Sequence, residues 1–283
     1  MSLRFLMIGD IVGRPGRRVV QQQLPQLRRD LAIDLVIANA ENIAGGSGIT
    51  RALFRKLQSY GIDGVTLGDH ALRQPDIYPA LDSEPHIIRP ANLPESAPGQ
   101  RHMLLRSAGS GGGDKQLYVI TVLGRLFMNG PPADDPFATV DLILQELDDD
   151  IPVLVEIHAE ATSEKVALGH YLAAPGHRPV AAVIGTHTHI PTADAHILPG
   201  GTAYITDLGM TGPYDSVLGR RKESVLKFMT TAVPERFNVA EHDVRLCALL
   251  VDLDDHGHAV KCQRIEIPAD PNHPPFNTPD DDD

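Results

Sequence analysis

Cysteine, long apolar runs and excess basic charge are scarce or missing in this chain, and each absence removes a class of protein. Only Cys247 and Cys262 occur among the 283 residues. Two thiols are too few for a secreted scaffold stapled by disulfides, and the strand-like surroundings of both favour buried free thiols. No stretch approaches the roughly 18 consecutive apolar residues that span a bilayer. The opening run is interrupted by Arg4 and passes directly into Gly9-Asp10, which does not read as a secretory leader. The expectation is a cytoplasmic protein with no membrane partner. Acidic residues outnumber basic ones and leave a formal net charge of −12, so a broad basic face is not expected. Tight binding to duplex nucleic acid through its phosphates is disfavoured accordingly. A small phosphorylated substrate stays open, because bound metal ions invert the local sign of charge. A phosphate-cradling P-loop is missing too. Gly111-Gly112-Gly113 lacks the Gly-Lys-Ser/Thr ending that such a loop needs, and residues 107–114 read as a mobile hairpin tip.

What is present is enough for a substantial core, with 42% hydrophobic residues in one large α/β domain or two small ones. No internal repeat and no linker divides the chain. This favours one domain over residues 1–267, built from two facing sheets, then an acidic, proline-rich tail over 268–283 with little core potential. Leu3–Ile8, Asp34–Ala38 and Asp63–Leu67 read as buried strands. They alternate with helices over Arg17–Leu31, Arg51–Tyr60 (capped by Thr50) and Pro75–Leu81. That alternation argues for a largely parallel sheet with functional loops at the strands' carboxyl ends. Prolines discourage a helix over Pro85–Leu105. Leu117–Leu123 reads as a strand, and Pro136–Leu147 as a helix ending in solvated Asp148-Asp149-Asp150. Pro152–Ile157 is a strand, Thr162 or Ser163 caps a helix to Leu172, and Pro179–Ile184 is a strand. The remainder looks β-rich, with strands at Ala203–Thr206, Val244–Leu253 and Ala259–Ile267.

Polar residues gather where these strands end. Gly185-Thr186-His187-Thr188-His189 follows an unbroken Val/Ala/Ile run, and an HxH pair in such a loop can aim both imidazoles into one site. Alone, the pair reads equally well as metal ligands or as two surface histidines. Four other strand-like runs end in the same way, at Asp10, at Asn39-Ala40-Glu41-Asn42, at Asp69-His70 and at His158. Carboxylate, amide and imidazole donors without thiolate suit Mn, Fe or Zn. There are enough for two ions sharing one carboxylate, an arrangement that lowers the pKa of a bound water and clamps both oxygens of an in-line phosphoryl displacement.

Gly9-Asp10, Gly68-Asp69-His70, His158 and Gly185–His189 resemble the motifs of the calcineurin-like metallophosphoesterases, in the same order. Gly9-Asp10-Ile11-Val12-Gly13, Asn39–Gly46, His158–Lys165 and Asp207–Gly219 are more specifically similar to the YmdB-like branch, and the resemblance spans Leu3 to Ile267. It implies an α/β fold, a four-layer α/β/β/α sandwich of two facing mixed sheets flanked by helices. It also implies two metal ions per chain, iron or manganese with mixed valence included, and phosphodiesterase activity. The substrates implied are small phosphodiesters, above all 2′,3′- or 3′,5′-cyclic nucleotides. Carried over residue by residue, the resemblance makes Asp10 and His189 ligands of one ion, Glu41 the bridge, and Asp69, His158 and His187 ligands of the other. Val12 stands where the superfamily usually has the histidine of Asp-x-His. Asn42 is its natural replacement, although it also reads as a loop amide tying down the Ala44–Gly48 turn. His70 is expected to be the general acid, held cationic by nearby acidic charge, with a metal-bridging hydroxide as nucleophile. A buried structural histidine is the other reading of His70.

One residue departs from the branch, whose motif ordinarily reads Gly-Asn-His where this chain has Gly68-Asp69-His70. Three carboxylates and a hydroxide total about −4 against about +4 from two divalent ions, whereas asparagine would leave about +1 for a phosphate. The expectation is that Asp69 favours a more highly charged centre with one Fe(III), or weakens substrate binding. Arg89 and Asn92, in Arg89-Pro90-Ala91-Asn92, are candidates for touching substrate, with a simple loop role as the alternative. Thr211–Ser216 either rims the pocket or makes a Gly-Pro turn. Glu160 and Glu164 read as helix-surface charge, and the nine other histidines as ordinary ones. Two competing functions remain, a phosphomonoesterase or nucleotidase with the same metals, and a non-catalytic regulator binding RNA or a protein. The intact ligand set and the acidic surface weigh against the second. A homo-oligomer is an expectation carried by the resemblance alone.

Overall fold

The computed structural model describes residues 2–108 and 114–270. Leu3–Ile8 forms β1, and both of its faces are covered. Leu6 and Ile8 pack into one apolar layer, while Leu3, Phe5 and Met7 pack into another. A strand buried on both faces has no polar side to show, which is why its sequence is an apolar run and not an alternation. After it come α1 (Gly13–Asp30), β2 (Leu35–Asn39), α2 (Arg51–Ser59) and β3 (Gly64–Thr66). A 3-10 turn at Pro75–Ile77 leads into α3 (Tyr78–Ser83), followed by β4 (Ile87–Ile88), β5 (His102–Ala108) and β6 (Asp114–Leu123). The second half runs through α4 (Pro136–Leu144), β7 (Val153–His158), α5 (Thr162–Leu172), β8 (Ala182–Thr186), β9 (His196–Leu198), β10 (Thr202–Ile205) and β11 (Gly212–Pro213). It closes with α6 (Lys222–Thr231), β12 (Val244–Leu253) and β13 (Ala259–Pro268).

These strands make two mixed sheets. One has the order β11-β12-β1-β2-β3-β4, with β13 also paired to β12, and the other has the order β5-β6-β7-β8-β10-β9. Within the first, β1 to β4 are mutually parallel. Within the second, β6, β7, β8 and β10 are parallel. Leu3, Phe5, Met7, Leu35 and Ile37 from one sheet meet Leu117, Val119, Leu154, Ala182 and Ile184 from the other in a shared core. Helices α1 to α3 cover the outer face of the first sheet, and α4 and α5 that of the second. The result is the expected α/β/β/α sandwich. Because β1, β2, β3, β7 and β8 all deliver chain from carboxyl ends, their following loops can converge.

Several local expectations change. Helix α1 starts at Gly13, not at Arg17, with Pro15 inside its first turn, where a missing N–H costs nothing. Helix α5 has Ala161 at its N-cap and no side-chain cap, so neither Thr162 nor Ser163 caps it. Thr50 does cap α2, its side chain accepting from Leu53 N. Helix α6 occupies a region expected to be β-rich. Only Val225 of it is buried, so the sequence carries no apolar stripe to announce it. Both cysteines are free, Cys247 buried and Cys262 partly so. Residues 109–113 of the expected hairpin tip and 271–283 of the expected tail lie outside the described residues. No helix among the described residues is long and apolar enough to cross a membrane.

The close passage of β8 past the chain leaving β10 depends on Gly185. A Cβ there would sit 1.7 Å from the Thr206 carbonyl oxygen, a backbone atom that cannot swing aside. Gly185→Ala is expected to destabilise the fold by ~3 kcal/mol or more, read as a lowered midpoint in thermal or urea unfolding. An unchanged midpoint would refute this account of the packing.

Candidate metal centre

The loops after β1, β2, β3, β7 and β8 meet. Asp10 follows β1 and is fully buried, as are Glu41 and Asn42 in the turn after β2. Asp69 and His70 follow β3, His158 is the last residue of β7, and His187 and His189 lie just past β8. His158 Nε2 lies 3.1 Å from Asp69 Oδ1 and 3.4 Å from Glu41 Oε1. His187 Nδ1 lies 3.1 Å from His158 Nε2 and 3.3 Å from Asp69 Oδ1. Donor atoms of Glu41, Asp69, His158 and His187 all fall within 4.8 Å of one another. Beside them, Asn42 Nδ2 is 3.0 Å from Glu41 Oε1 and 3.3 Å from His189 Nε2. The same His189 nitrogen is 3.8 Å from Asp10 Oδ1. Glu41 thus stands between the Asp69, His158 and His187 donors and the Asp10 and His189 pair, toward which Asn42 turns its amide nitrogen while its oxygen faces His70. Gly68 permits the approach, since a Cβ there would stand 2.3 Å from His158 Nε2 and 2.4 Å from Glu41 Oε2.

The donor set fits metal ions on two grounds. Asp10 Oδ1 is buried without a hydrogen-bond partner, a costly state for a carboxylate oxygen unless a cation meets it. Charge balance is the second ground. Burial opposes ionisation of Glu41, yet the charge and hydrogen bonding of His158, with a hydrogen bond from His70, hold its carboxyl far below the ordinary range. Burial likewise opposes ionisation of Asp69, and hydrogen bonds from His158 and His187 outweigh it. Conversely, burial works against a proton on His158, but Glu41, Asp69 and Asp10 hold its pKa well above the usual value. His70 is also raised, with burial overcome by Glu41 and then Asp69. Three carboxylates therefore demand positive charge, which protons on imidazole or bound cations can supply. The cluster could hold two metal ions.

Each strand-end histidine is braced on the side away from the cluster. His158 Nδ1 faces Thr186 Oγ1 at 2.9 Å, His187 Nε2 faces Glu160 Oε2 at 3.3 Å, and His189 Nδ1 faces the Leu218 carbonyl at 3.1 Å. His187 and His189 both adopt positive φ, at 94° and 64°, a strained conformation for residues with a Cβ. Asp207 holds the turn between them. Its Oδ2 accepts from Thr188 N at 3.1 Å and Thr188 Oγ1 at 2.7 Å, while Oδ1 accepts from Gly209 N at 2.8 Å. Lys165 of α5 neutralises Asp207 across 2.6 Å, and both side chains are almost wholly buried. His70 completes the assembly. Its Nδ1 lies 2.8 Å from Asn42 Oδ1 and its backbone N donates to Glu41 Oε2 at 2.8 Å. A quarter of the His70 side chain remains exposed.

Not every candidate arrives here. Asn92 is buried and spends its amide on backbone, donating to Leu123 O and Asp134 O and accepting from Leu123 N. Arg89 is 2% exposed and donates to the carbonyls of Pro90 and Ala91. Arg89 brackets its own loop, Asn92 ties that loop to the end of β6 and to Asp134, and neither contacts the cluster among the described residues. Gly212-Pro213 pairs with β12, while Thr211 N donates to Asp10 O and its carbonyl accepts from Val12 N. That stretch buttresses the Asp10 loop and makes no Gly-Pro turn. Glu164 is no surface charge. It is buried and accepts from Arg125 N and Leu126 N. Glu160 is half exposed but touches His187. Lys165, Asp207, Glu156 and Thr186 escape sequence reasoning, because nothing in a sequence distinguishes a buried, partnered charge from a solvated one.

The YmdB-like protein family matches this chain over residues 6–265. Over 270 residues the chain is 43% identical to the 2′,3′-cyclic-nucleotide 2′-phosphodiesterase of Bacillus subtilis (strain 168), covering 95% of this chain and 98% of that protein. The crystal structure of a hypothetical protein from Thermus thermophilus matches with a TM-score of 0.84 at 42% identity, covering 94% of this chain and 99% of that one. A crystal structure described as a novel phosphatase of Mycoplasma pneumoniae matches with a TM-score of 0.85 at 29% identity, covering 95% and 94%.

Removing the cation beside Asp207 tests the brace. Lys165→Met leaves a buried carboxylate without its counter-charge, and a loss of ~3–5 kcal/mol is expected from equilibrium unfolding. A variant as stable as the parent would show that the pair does not secure the loop.

Proposed function

This chain belongs to the YmdB-like family, and from that premise we propose that it is a metal-dependent phosphodiesterase acting on 2′,3′-cyclic nucleotides, with 3′,5′-cAMP as a second substrate to test. The observation that carries the proposal is the place of Glu41 between two sets of donors, with His70 partly exposed at their side. Asp10, Asn42 and His189 would hold one ion, Asp69, His158 and His187 the other, and Glu41 would serve both. When bound, two such ions lower the pKa of a water and neutralise phosphoryl charge. The chain's own part is positioning and proton handling. Loops from both sheets fix the donors, and the Asp207 brace holds two of the three histidines in place. His70 donates through Nδ1 to Asn42 Oδ1, which orients the ring and leaves Nε2 to protonate the departing ribose oxygen as the phosphorus–oxygen bond breaks. Glu41 and Asp69 favour the protonated imidazole that this step consumes. On this reading residues 1–267 act as one catalytic unit.

Iron and manganese are the ions we propose, on the chemistry of an O/N donor set without thiolate. Asp69 adds a negative charge to that set, and we infer that it favours one Fe(III). Electron paramagnetic resonance of the purified protein is expected to show ferric iron that Asp69→Asn diminishes. Divalent ions alone, together with an unchanged KM in Asp69→Asn, would end that inference.

Purified protein given Mn²⁺ is expected to hydrolyse 2′,3′-cAMP, to lose that activity on chelation and to regain it on adding metal. His70→Ala is expected to lower kcat by about 10²–10⁴-fold with metal content unchanged. Phosphate release from AMP without cyclic-nucleotide turnover would move the assignment to a nucleotidase. No turnover with metal demonstrably bound would point to a binding protein.

A further inference from the structure

Beneath the cluster lies a polar node of which the roles above use only His158. Asn39, Glu156, His158 and Thr186 are all fully buried. They belong to three strands in two facing sheets, β2 in one and β7 and β8 in the other. Glu156 Oε1 accepts from Asn39 Nδ2 at 2.7 Å and from Thr186 Oγ1 at 2.7 Å. With its own proton committed to Glu156, the Thr186 hydroxyl has only lone pairs left for His158 Nδ1, 2.9 Å away. The hydrogen bond there must run from Nδ1–H to Oγ1.

We propose that Thr186, backed by Glu156, is a positioning residue that fixes the tautomer of His158. It places the proton on Nδ1 and the lone pair on Nε2, the nitrogen that faces Glu41, Asp69 and His187. The inference rests on the metal-centre reading above and goes beyond it, because it names what makes one imidazole competent as a ligand.

The alternatives for Nδ1 are poor. Asn39 Nδ2, at 3.4 Å, is itself a donor. The Asn39 amide oxygen is occupied by Glu41 N at 3.1 Å. Asp10 Oδ1 stands 4.0 Å away, beyond hydrogen-bond reach. Without the hydroxyl, His158 either buries an unpaired N–H or moves its proton to Nε2, where it cannot bind metal. The relay runs this way whenever Oε1 is an acceptor, as in an ionised Glu156 or one protonated on Oε2, and would turn round only with a proton on Oε1 itself. Partners behind metal-binding histidines commonly set ring orientation and tautomer in this way.

The test compares wild type, Thr186→Val and Thr186→Ser in the full-length protein. Mn²⁺ affinity and stoichiometry are measured by calorimetry, with thermal melting of the chelated proteins alongside. Thr186→Val keeps the shape and removes the relay, and a 10–100-fold loss of affinity for one of two ions is expected. Thr186→Ser is expected to restore binding. Equal affinity in Thr186→Val, or a serine variant as impaired as the valine variant, would overturn the proposal. A wild type that binds no Mn²⁺, Fe or Zn would instead overturn the metal-centre reading itself. Should the valine variant fail to fold, ¹⁵N NMR of the neutral His158 ring in the metal-free wild type decides the matter. A proton on Nδ1 supports the relay and a proton on Nε2 refutes it.

Discussion

Three carboxylates, Asp10, Glu41 and Asp69, are gathered in a space that is largely withdrawn from water, and their mutual repulsion is the constraint to which the surrounding structure answers. Burial alone would discharge such groups. Here the imidazoles of His158, His187 and His70 stand among them and keep Glu41 and Asp69 ionised. The same imidazoles must be held rigidly if they are to yield their place as charge carriers to cations. That explains why the polar partners behind them, unlike the donors in front, are spent on fixed geometry. Thr186, Glu156 and Asn39 brace the His158 ring from inside the sandwich, and Glu160 braces His187 and the Leu218 carbonyl braces His189 from loops.

The histidine pair shows how strain is distributed. Two residues with positive φ, two positions apart, are unfavourable in isolation, and the turn persists because Asp207 accepts three hydrogen bonds from it and its neighbour. Burying Asp207 to do so would be costly without Lys165. A side chain on α5 therefore stabilises a loop that follows β8, and the outer helix layer is coupled to the chemistry at the sheet edge. The loop after β2 has a comparable anchor in Arg220, which donates to the carbonyls of Gly45 and Gly46.

Much of this architecture is legible in the amino-acid sequence, for identifiable reasons. Leu3–Ile8, Leu35–Asn39 and Val153–His158 are buried on both faces, so their apolar runs are conspicuous, and polar residues directly after them stand out by contrast. That contrast is what draws Asp10, Glu41, Asn42, Asp69, His158, His187 and His189 together before any coordinates are known. Arg89 and Asn92, in the irregular Arg89-Pro90-Ala91-Asn92 stretch, look like candidates for touching substrate by residue type alone. Yet Arg89 Nη1 and the Asn92 amide are turned to backbone carbonyls, a fate that depends on loop geometry and leaves no trace in residue type. Glu164 and Lys165 sit within a helix whose polar residues suggest solvent, and only the second sheet packing against α5 turns them inward. Helix α6 is illegible for the opposite reason. It packs so little that no periodicity is imposed on it.

The pairing of β1 has a consequence for how the molecule is made. This first strand lies between β2 and β12, in register from Leu3 opposite Leu253 to Ile8 opposite Ala248. During synthesis its neighbour β2 emerges almost at once, but β12 leaves the ribosome only after β3 to β11 have been made. Until then one edge of β1 is open, with unpaired amides beside apolar side chains, the kind of surface that invites wrong partners. All seven donor residues, the last of them His189, are synthesised before that edge closes. The strand that aims Asp10 is thus locked into its sheet by a segment that contributes no donor, and the order of translation separates possession of the ligands from the geometry that lets them act together.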